Sequence, residues 1–408
     1  MTEATDAAAG VSFAVDGETQ LILDSLDEFI EREVEPLKDE LGETLRNPRL
    51  SHEPDGRVDD DLLDAVETVR RKSADAGFYA MAMPESVGGG GVPYVTWFRA
   101  IQHVFSKGRG LNEHVLAGPE GPKPLLLSAD ERQRERYVEP LVRGEKSTAF
   151  AQTEPGAGSD SPAMETTAEK DGDEWVIDGT KQWITNAPYA DFAQVFARTT
   201  PGEEAGRYGG ITCFIVEADE WELGSYNNVP GQVGWQAELR FDGVRVSDER
   251  VLGEVDDAFY DAMGFLSLAR LELGAQAVGL TDHLLGLATE YATDREAFGE
   301  PIGNYQQISS MVARGRARQY AAESAGLRCA WRMDRDEDVI EDTSIFKWLA
   351  TDALWEAADD AVQIHGAGGL SEENPFMDHL HYARLLRIVE GTDELQLNTI
   401  AKQHGLLQ

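Results

Sequence analysis

Glu390 has the sequence setting in this chain that best suits proton transfer. It follows residues 385–389, which are apolar apart from Arg387, and it precedes Gly391 and Thr392. Apolar neighbours disfavour the charged form of a carboxylate, which raises its pKa and makes it a stronger base. A glycine at the next position lets the backbone approach a ligand closely. The alternative is an ordinary glutamate at a glycine-capped helix end, and this stretch taken alone favours that alternative.

Two earlier stretches could bind a flat or anionic ligand. Residues 151–160 form a loop rich in glycine and hydroxyl groups, whose backbone N–H groups could meet an anion. The loop lacks the phosphate-loop lysine and the Rossmann spacing, so a glycine-rich turn is the alternative. Trp183 and Thr185 stand at alternating positions of a predicted strand and therefore share one face. They could offer an aromatic wall and a hydroxyl, although a lone tryptophan is structural by default.

Two later stretches add groups that suit a cofactor. Arg295 lies beside a tight turn at Gly299, and Gln306 follows. An arginine there suits a phosphate, and a surface ion pair is the alternative on an acid-rich chain. Gln363 precedes Gly366 at a predicted helix end, which is either plain capping or a place where the backbone approaches a cofactor.

The charge balance excludes some partners. The 408 residues are 41% hydrophobic and carry 36 basic and 75 acidic side chains, for a net charge of −39. Such a charge disfavours binding to nucleic acid or to anionic membranes. Only 9 of the basic residues are lysines, and an acidic, lysine-poor surface indicates a salt-rich cytoplasm, where 1 M salt screens charges beyond about 3 Å. An ordinary acidic bacterial protein is the alternative.

The cysteines and the N-terminus indicate the compartment. Cys213 and Cys329 are the only cysteines, so no disulfide framework is expected, and both are predicted as small core residues. The acidic N-terminal stretch, residues 1–6, has no signal-peptide pattern. No apolar run approaches the ~20 residues that a membrane span needs. We therefore expect a soluble, cytoplasmic protein without a metal site.

The elements that must position these residues follow from hydrophobic periodicity. Helices are predicted from about Leu21 and over residues 59–76, 95–105, 130–141, 258–292, 305–333, 345–365 and 378–388, with a last helix after Thr392. Strand-like runs lie between them, and Asp178-Gly179 and Asp242-Gly243 are predicted as hairpin turns.

The predicted fold class is α+β with several domains, which suits the length of the chain. An N-terminal α-helical domain covers residues 17–148, and a central antiparallel β-sandwich or barrel covers residues 149–250. A C-terminal four-helix bundle covers residues 251–408.

These stretches, in this order on helix–β–helix architecture, resemble the acyl-CoA dehydrogenase family of flavoproteins from about residue 20 to residue 402. The most specific are Thr153-Glu154-Pro155-Gly156-Ala157-Gly158-Ser159-Asp160 and Trp183-Ile184-Thr185-Asn186. The resemblance implies an FAD-dependent oxidation of an acyl-CoA thioester to a trans-2-enoyl-CoA. Glu390 would remove the α proton, and flavin N5 would take the β hydride. It also implies a role in β-oxidation of fatty acids, a homotetramer, and an electron-transfer flavoprotein as partner.

The resemblance further implies which residues contact the ligands. Those expected at the FAD are Phe150, Gln152, Thr153, Ser159, Trp183, Thr185, Arg295, Phe298, Gln306, Gln363, Gly366, Ala367, Thr392 and Glu394. Those expected at the substrate are Ser159, Arg270 and Gly391. Within the first set, the residues that would reach the FAD of a neighbouring subunit are Arg295, Phe298, Gln306, Gln363 and Gly366.

Some positions depart from the family pattern. Ala269 stands where some members place the base, which favours Glu390, and Glu272 is expected to face away from Arg270. Glu394 stands where glutamine is common, and its charge opposes a phosphate. Other departures are Ala367 in place of glycine and His381-Tyr382 in place of an Arg-Asp pair.

Three alternatives stay open on the sequence. An acyl-CoA oxidase performs the same half-reaction with O₂ as acceptor, and the motifs barely separate it from a dehydrogenase. A non-catalytic or DNA-binding homologue would not need Glu390 and Arg270, and the net charge of −39 disfavours it. A flavin monooxygenase of the same fold would not need Glu390 either.

Overall fold

The computed structural model describes residues 13–47 and 50–407, apart from the side chains of residues 46, 261 and 263. The N-terminal stretch on which the signal-peptide prediction rests lies outside the described residues. Among the described residues, no helix is both long enough and apolar enough to cross a membrane.

The helices and strands follow the predicted order. The α-helices are α1 (Gly17–Phe29), α2 (Glu35–Leu41), α3 (Glu43–Arg46), α4 (Asp60–Asp75), α5 (Tyr94–Phe105), α6 (Glu131–Gln133), α7 (Glu139–Val142), α8 (Gly202–Ala205), α9 (Ala258–Asp294), α10 (Gln306–Met333), α11 (Ile340–His365), α12 (Phe376–Leu386) and α13 (Asp393–Gln403). The strands are β1 (Thr148–Ala151), β2 (Thr167–Asp171), β3 (Glu174–Thr185), β4 (Phe192–Arg198), β5 (Ile211–Glu217), β6 (Glu222–Tyr226), β7 (Gln236–Ser247), β8 (Val251–Leu252), β9 (Glu296–Ala297) and β10 (Glu300–Pro301).

The described chain divides into two compact units. The helical unit consists of the described parts of Met1–Arg32, Pro93–Arg109 and Ser267–Gln408, and the sheet unit consists of those of Glu33–Val92 and Gly110–Leu266. The three predicted domain ranges stay a prediction. The fold class is confirmed, because a mostly antiparallel sheet follows one helical segment and precedes another.

The sheet of the sheet unit runs in the order β6-β7-β3-β2-β4-β5-β8, with β1 paired to β4 in parallel. Alternate residues of β4 enter two different clusters. Phe192 and Phe196 pack with residues such as Tyr137 of the preceding helices, whereas Val195 packs with residues such as Trp175 on the opposite face. The period-2 alternation of side chains therefore buries this strand on both faces.

The two predicted Asp-Gly hairpins are wrong. β3 and β7 each continue through their Asp-Gly pair, and the two pairs lie opposite one another where the β3–β7 register shifts after Ile177. Asp178 accepts a hydrogen bond from the Gly243 N–H at 2.8 Å. A glycine at positive φ serves a β-bulge as well as a turn, so the dipeptide alone cannot tell them apart. A hairpin that was not predicted joins β2 to β3 at Gly172.

Close helix packing organises the helical unit. A Cβ added to Gly274 of α9 would lie 2.3 Å from the Phe346 ring, and one added to Gly326 of α10 would lie 2.4 Å from the Phe98 ring. These glycines therefore admit two aromatic rings, which pack with 5.7 Å between their centroids. Phe346 thus fixes the position of α11, and Lys347 follows it directly.

Candidate functional site

The turn between α12 and α13 holds Glu390 in an unusual conformation. Glu390 has φ 55° and Gly391 has φ 89°, so both lie in the left-handed region. A non-glycine residue there costs on the order of 1–3 kcal/mol, and such strain concentrates at functional sites. The turn is therefore more than the glycine-capped helix end that the sequence left open.

Three side chains hold this turn through its carbonyl groups. The Glu390 C=O accepts hydrogen bonds from Arg270 Nε at 3.2 Å and from Gln396 Nε2 at 3.1 Å. The Gly391 C=O accepts from Lys347 Nζ at 2.7 Å and from Gln396 Nε2 at 2.9 Å. Arg270 was predicted at the substrate, and the structure brings it to the Glu390 backbone. Lys347 and Gln396 were missed, and the available signal was a lysine on an otherwise uncharged face of α11.

The two cations beside the turn are desolvated. Burial lowers the pKa of Arg270, and the charge of Glu390 acts against that shift. Burial also lowers the pKa of Lys347 to about 8, although Asp393 and Glu390 favour its charged form. Glu390 favours the charged forms of Arg270 and Lys347, so this carboxylate and the two cations attract one another.

Glu272 has a partner on α5. It is buried, and Trp97 Nε1 donates to its Oε1 at 3.0 Å. Tying Glu272 to α5 is consistent with the prediction that it faces away from Arg270.

A cavity of about 470 Å³ opens beside the start of α13. Its lining includes Arg384, Arg387, Trp355, Thr392 and Glu394. Thr392 caps the helix by accepting from the Leu395 N–H, so the helix N-terminus and Arg384 favour an anion here. Arg387 is paired with Asp393, which also lines the cavity. The exposed Glu394 opposes an anion, because its own backbone N–H and the Thr392 side chain lower its pKa and keep it ionised.

The predicted subunit-contact residues lie on exposed parts of the helical unit. Phe298 is 98% exposed with φ 55°, and Arg295 makes no salt bridge within the described part of the chain. Gln306 and Gln363 are also exposed, as is Gly366 at the end of α11. The Phe298 ring meets Tyr305 edge-on, with 6.4 Å between centroids, yet it stays almost fully exposed, which fits contact with a second molecule.

The loop after β1 is anchored by a buried ion pair in the sheet unit. Lys181 Nζ donates to the Gln152 C=O at 3.1 Å and to Glu154 Oε1 at 2.7 Å. Burial lowers the pKa of Lys181 to about 8, and Glu154 opposes that shift. The Thr153 C=O accepts from the Gln182 N–H at 2.9 Å, so the loop is bound to β3.

The polar groups of this loop fit a cofactor with a polar ring edge. Gln152 is buried, and its Nε2 lacks a hydrogen-bond partner in the described structure. A buried amide N–H without a partner is costly, so a ligand acceptor would satisfy it. Ser159 is exposed, and a Cβ added to Gly156 or Gly158 would meet nothing within 4 Å. The glycines therefore leave room for an approaching ligand.

Trp183 and Thr185 are placed on β3 as predicted, but a bulge intervenes. The register against β7 shifts between Lys181 and Ile184, and Trp183 has φ 63° and is 51% exposed. Thr185 Oγ1 accepts from Gln236 Nε2 at 3.3 Å. A half-exposed indole suits stacking on a planar ring. Phe150 instead packs against Phe196, with 4.9 Å between ring centroids.

Three family models cover most of the chain. The acyl-CoA dehydrogenase N-terminal, middle and C-terminal domains match residues 16–145, 149–244 and 257–405. The 3-(aryl)acrylate reductase of Clostridium sporogenes is 32% identical over 92% of this chain and 95% of its own length. The caffeyl-CoA reductase-Etf complex subunit CarC of Acetobacterium woodii is 33% identical over 84% of this chain and 92% of its own length.

A solved structure shows the same architecture. Butyryl-CoA dehydrogenase from Megasphaera elsdenii superposes with a TM-score of 0.81 at 28% identity, covering 96% of this chain and 99% of that one. The helical, sheet and helical segments of this chain follow the order of the three family models. The chain belongs to the acyl-CoA dehydrogenase family of FAD-dependent oxidoreductases that act on CH–CH bonds.

Proposed function

We propose that this protein dehydrogenates an acyl-CoA thioester to a trans-2-enoyl-CoA, with Glu390 as the base. The observation that carries the proposal is the left-handed Glu390–Gly391 turn, held by Arg270, Lys347 and Gln396. A carboxylate fixed in one place, with two cations beside it, is equipped to remove a weakly acidic proton. The Glu390 N–H supports the developing charge on the thioester oxygen.

FAD, when bound, supplies the acceptor for the hydride that leaves Cβ. We assign its ring to the neighbourhood of Gln152, Thr153, Trp183 and Thr185, where the unpartnered amide and the half-exposed indole fit it. We assign a phosphate of FAD to the cavity that Arg384, Arg387 and Thr392 line. Phe150, Ser159, Ala367 and Glu394 complete the cofactor set as proposed contacts, with Ser159 and Gly391 also at the substrate.

The setting of the reaction is part of the proposal. We propose a cytoplasmic homotetramer in β-oxidation, in which Arg295, Phe298, Gln306, Gln363 and Gly366 reach a neighbour's FAD. The exposure of these residues supports it. A relative named as part of an Etf complex supports an electron-transfer flavoprotein as the acceptor.

A second candidate is the reverse reaction, reduction of a 2-enoyl substrate. It is favoured by the two relatives whose names describe them as reductases. Glu390 would then give the proton to Cα. Whether the enzyme oxidises an acyl thioester or reduces an enoyl thioester depends on the reduction potential of the bound flavin, and the base serves both directions.

Anaerobic titration of the flavin with a panel of acyl-CoAs tests the proposal. At least one saturated acyl-CoA should bleach the flavin, and the bleached protein should react faster with electron-transfer flavoprotein than with O₂. Fast reoxidation by O₂ would identify an oxidase. Bleaching by no member, together with oxidation of the reduced flavin by an enoyl or arylacrylyl thioester, would identify a reductase.

A further inference from the structure

Lys347 is a buried cation on α11 of the helical unit. Its side chain has 0% exposure, and it lies on α11 among the buried residues Phe346, Ala350 and Thr351. A lysine in such a place loses its hydration, and a methionine of similar length would fill the space without that cost. Its Nζ donates to the Gly391 C=O at 2.7 Å. This hydrogen bond ties the buried lysine to the turn that carries Glu390.

The groups that face Lys347 come from four elements. Asp393 of α13 and Glu390 of the turn favour its charge, whereas Arg270 of α9 and Arg387 after α12 oppose it. Asp393 Oδ2 accepts from Arg387 Nε at 2.5 Å, so that carboxylate is already paired. Glu390 therefore interacts electrostatically with both Lys347 and Arg270.

Gln396 holds the same turn without adding charge. It is fully buried on α13, and its Nε2 lies within hydrogen-bond distance of both the Glu390 and the Gly391 C=O. Lys347 and Gln396 thus approach the Gly391 C=O from two different helices. Removing either should let the strained Glu390 relax toward ordinary backbone angles, because nothing in its residue type favours positive φ.

We propose that Lys347 is a positioning residue for proton abstraction, which holds the Glu390–Gly391 turn together with Gln396 and keeps the Glu390 carboxylate ionised. This inference rests on Glu390 being the base, as proposed above. Lys347 touches the Gly391 backbone and acts on the reaction only through Glu390. Replacing Lys347 should therefore slow proton abstraction and leave substrate binding unchanged.

The test compares Lys347→Met with Ser344→Ala. Ser344 lies on the same helix, is fully buried, and its hydroxyl has no partner in the described structure, so its loss controls for disturbance of α11. In Lys347→Met, anaerobic flavin reduction by a substrate acyl-CoA should slow about 10- to 100-fold, as expected for a misplaced catalytic group. Acyl-CoA affinity and FAD content should stay within about threefold, a change of no more than ~0.7 kcal/mol.

The pH profile separates positioning from packing. Removing a cation that faces Glu390 should raise the pKa of this carboxylate. The acidic limb of the pH–rate profile for flavin reduction should therefore move to higher pH by on the order of one unit. Lys347→Arg should keep the limb in place, and Ser344→Ala should change neither rate nor limb. A Lys347→Met protein with the wild-type rate and limb would overturn the proposal, and so would a slower rate with an unmoved limb.

If Lys347→Met does not fold, Gln396→Met decides. This change removes two hydrogen bonds but no charge, so flavin reduction should slow while the acidic limb of the pH–rate profile stays in place. A wild-type rate of flavin reduction would overturn the shared positioning role. Glu390→Gln measured in parallel separates the two claims. If Glu390→Gln keeps full activity, the proposed function has failed, whatever Lys347→Met does.

Discussion

At the scale of single residues, three of the candidate site residues share an uncommon backbone. Trp183, Phe298 and Glu390 have φ values of 63°, 55° and 55°. None of these residue types favours positive φ, so the strain must be supported by surrounding structure. Neighbouring residues in the sequence pointed to Glu390 and Trp183. The conformation that makes Glu390 a constrained base could not be predicted, because two of the side chains that hold the turn are far away in the sequence. Arg270 is 120 positions from Glu390, and Lys347 is 44 positions from Gly391.

A first prediction concerns Glu394, whose ionised carboxylate lines the arginine cavity. If a phosphate of FAD binds there, Glu394→Gln removes a repulsion and should tighten FAD binding about two- to fivefold in dilute buffer. The gain should shrink in molar salt, which screens exposed charges. FAD release followed by fluorescence measures it.

The control for Glu394→Gln is Glu31→Gln, which makes the same charge change at another exposed glutamate. Equal changes in the two variants would mean that only net charge matters. Unchanged or weaker FAD binding in Glu394→Gln would place the phosphate elsewhere.

At the scale of elements, long periodic helices were predictable and strand irregularities were not. The helix predicted over residues 258–292 is α9, and that predicted over residues 305–333 is α10, within two residues at each end. β2 was not predicted because Ala168 is its one buried residue, so its sequence lacks the alternation of apolar and polar residues that indicates a strand. Asp178-Gly179 was predicted as a turn because its partner strand, which makes it a bulge, comes some sixty positions later.

A second prediction tests that bulge. Gly179 has φ 151°, and a Cβ there would lie 2.7 Å from Thr166 Cα, whereas Gly243 has φ 63° with nothing within 4 Å of its Cβ. Both Gly→Ala changes strain the backbone, but only Gly179→Ala also crowds packed atoms. It should lower the free energy of unfolding by about 1–3 kcal/mol more than Gly243→Ala. Urea denaturation of both variants measures the free energy of unfolding. Equal decreases in the two variants would contradict the close contact between Gly179 and Thr166.

At the scale of the whole molecule, the charge is the dominant property. The net charge of −39 produces self-repulsion that weakens as salt rises. Composition alone showed this, and it led to the prediction of a salt-adapted protein, which stays a prediction. Composition could not show which ion pairs offset the repulsion, because pairs such as Arg250–Glu220 join residues 30 positions apart.

A third prediction follows from that charge. The thermal midpoint and the assembly size should both rise between dilute buffer and 1 M KCl, because the Debye length falls to about 3 Å and the repulsion between like charges is screened. Calorimetry and light scattering measure the two quantities. A midpoint and mass that do not respond to salt would remove the salt-adapted interpretation.

The central claim is that Glu390 removes the α proton. The most direct test is anaerobic flavin reduction in Glu390→Gln, with Glu272→Gln as the matched control, since Glu272 is tied to Trp97. Glu390→Gln keeps the side-chain shape and the backbone N–H, so acyl-CoA should still bind and shift the flavin spectrum. Its reduction rate should fall by roughly 10²–10⁴-fold, as for a lost general base, while Glu272→Gln stays close to wild type. A wild-type rate in Glu390→Gln would contradict the assignment, and it would identify Glu272 as the base if Glu272→Gln were the slow variant.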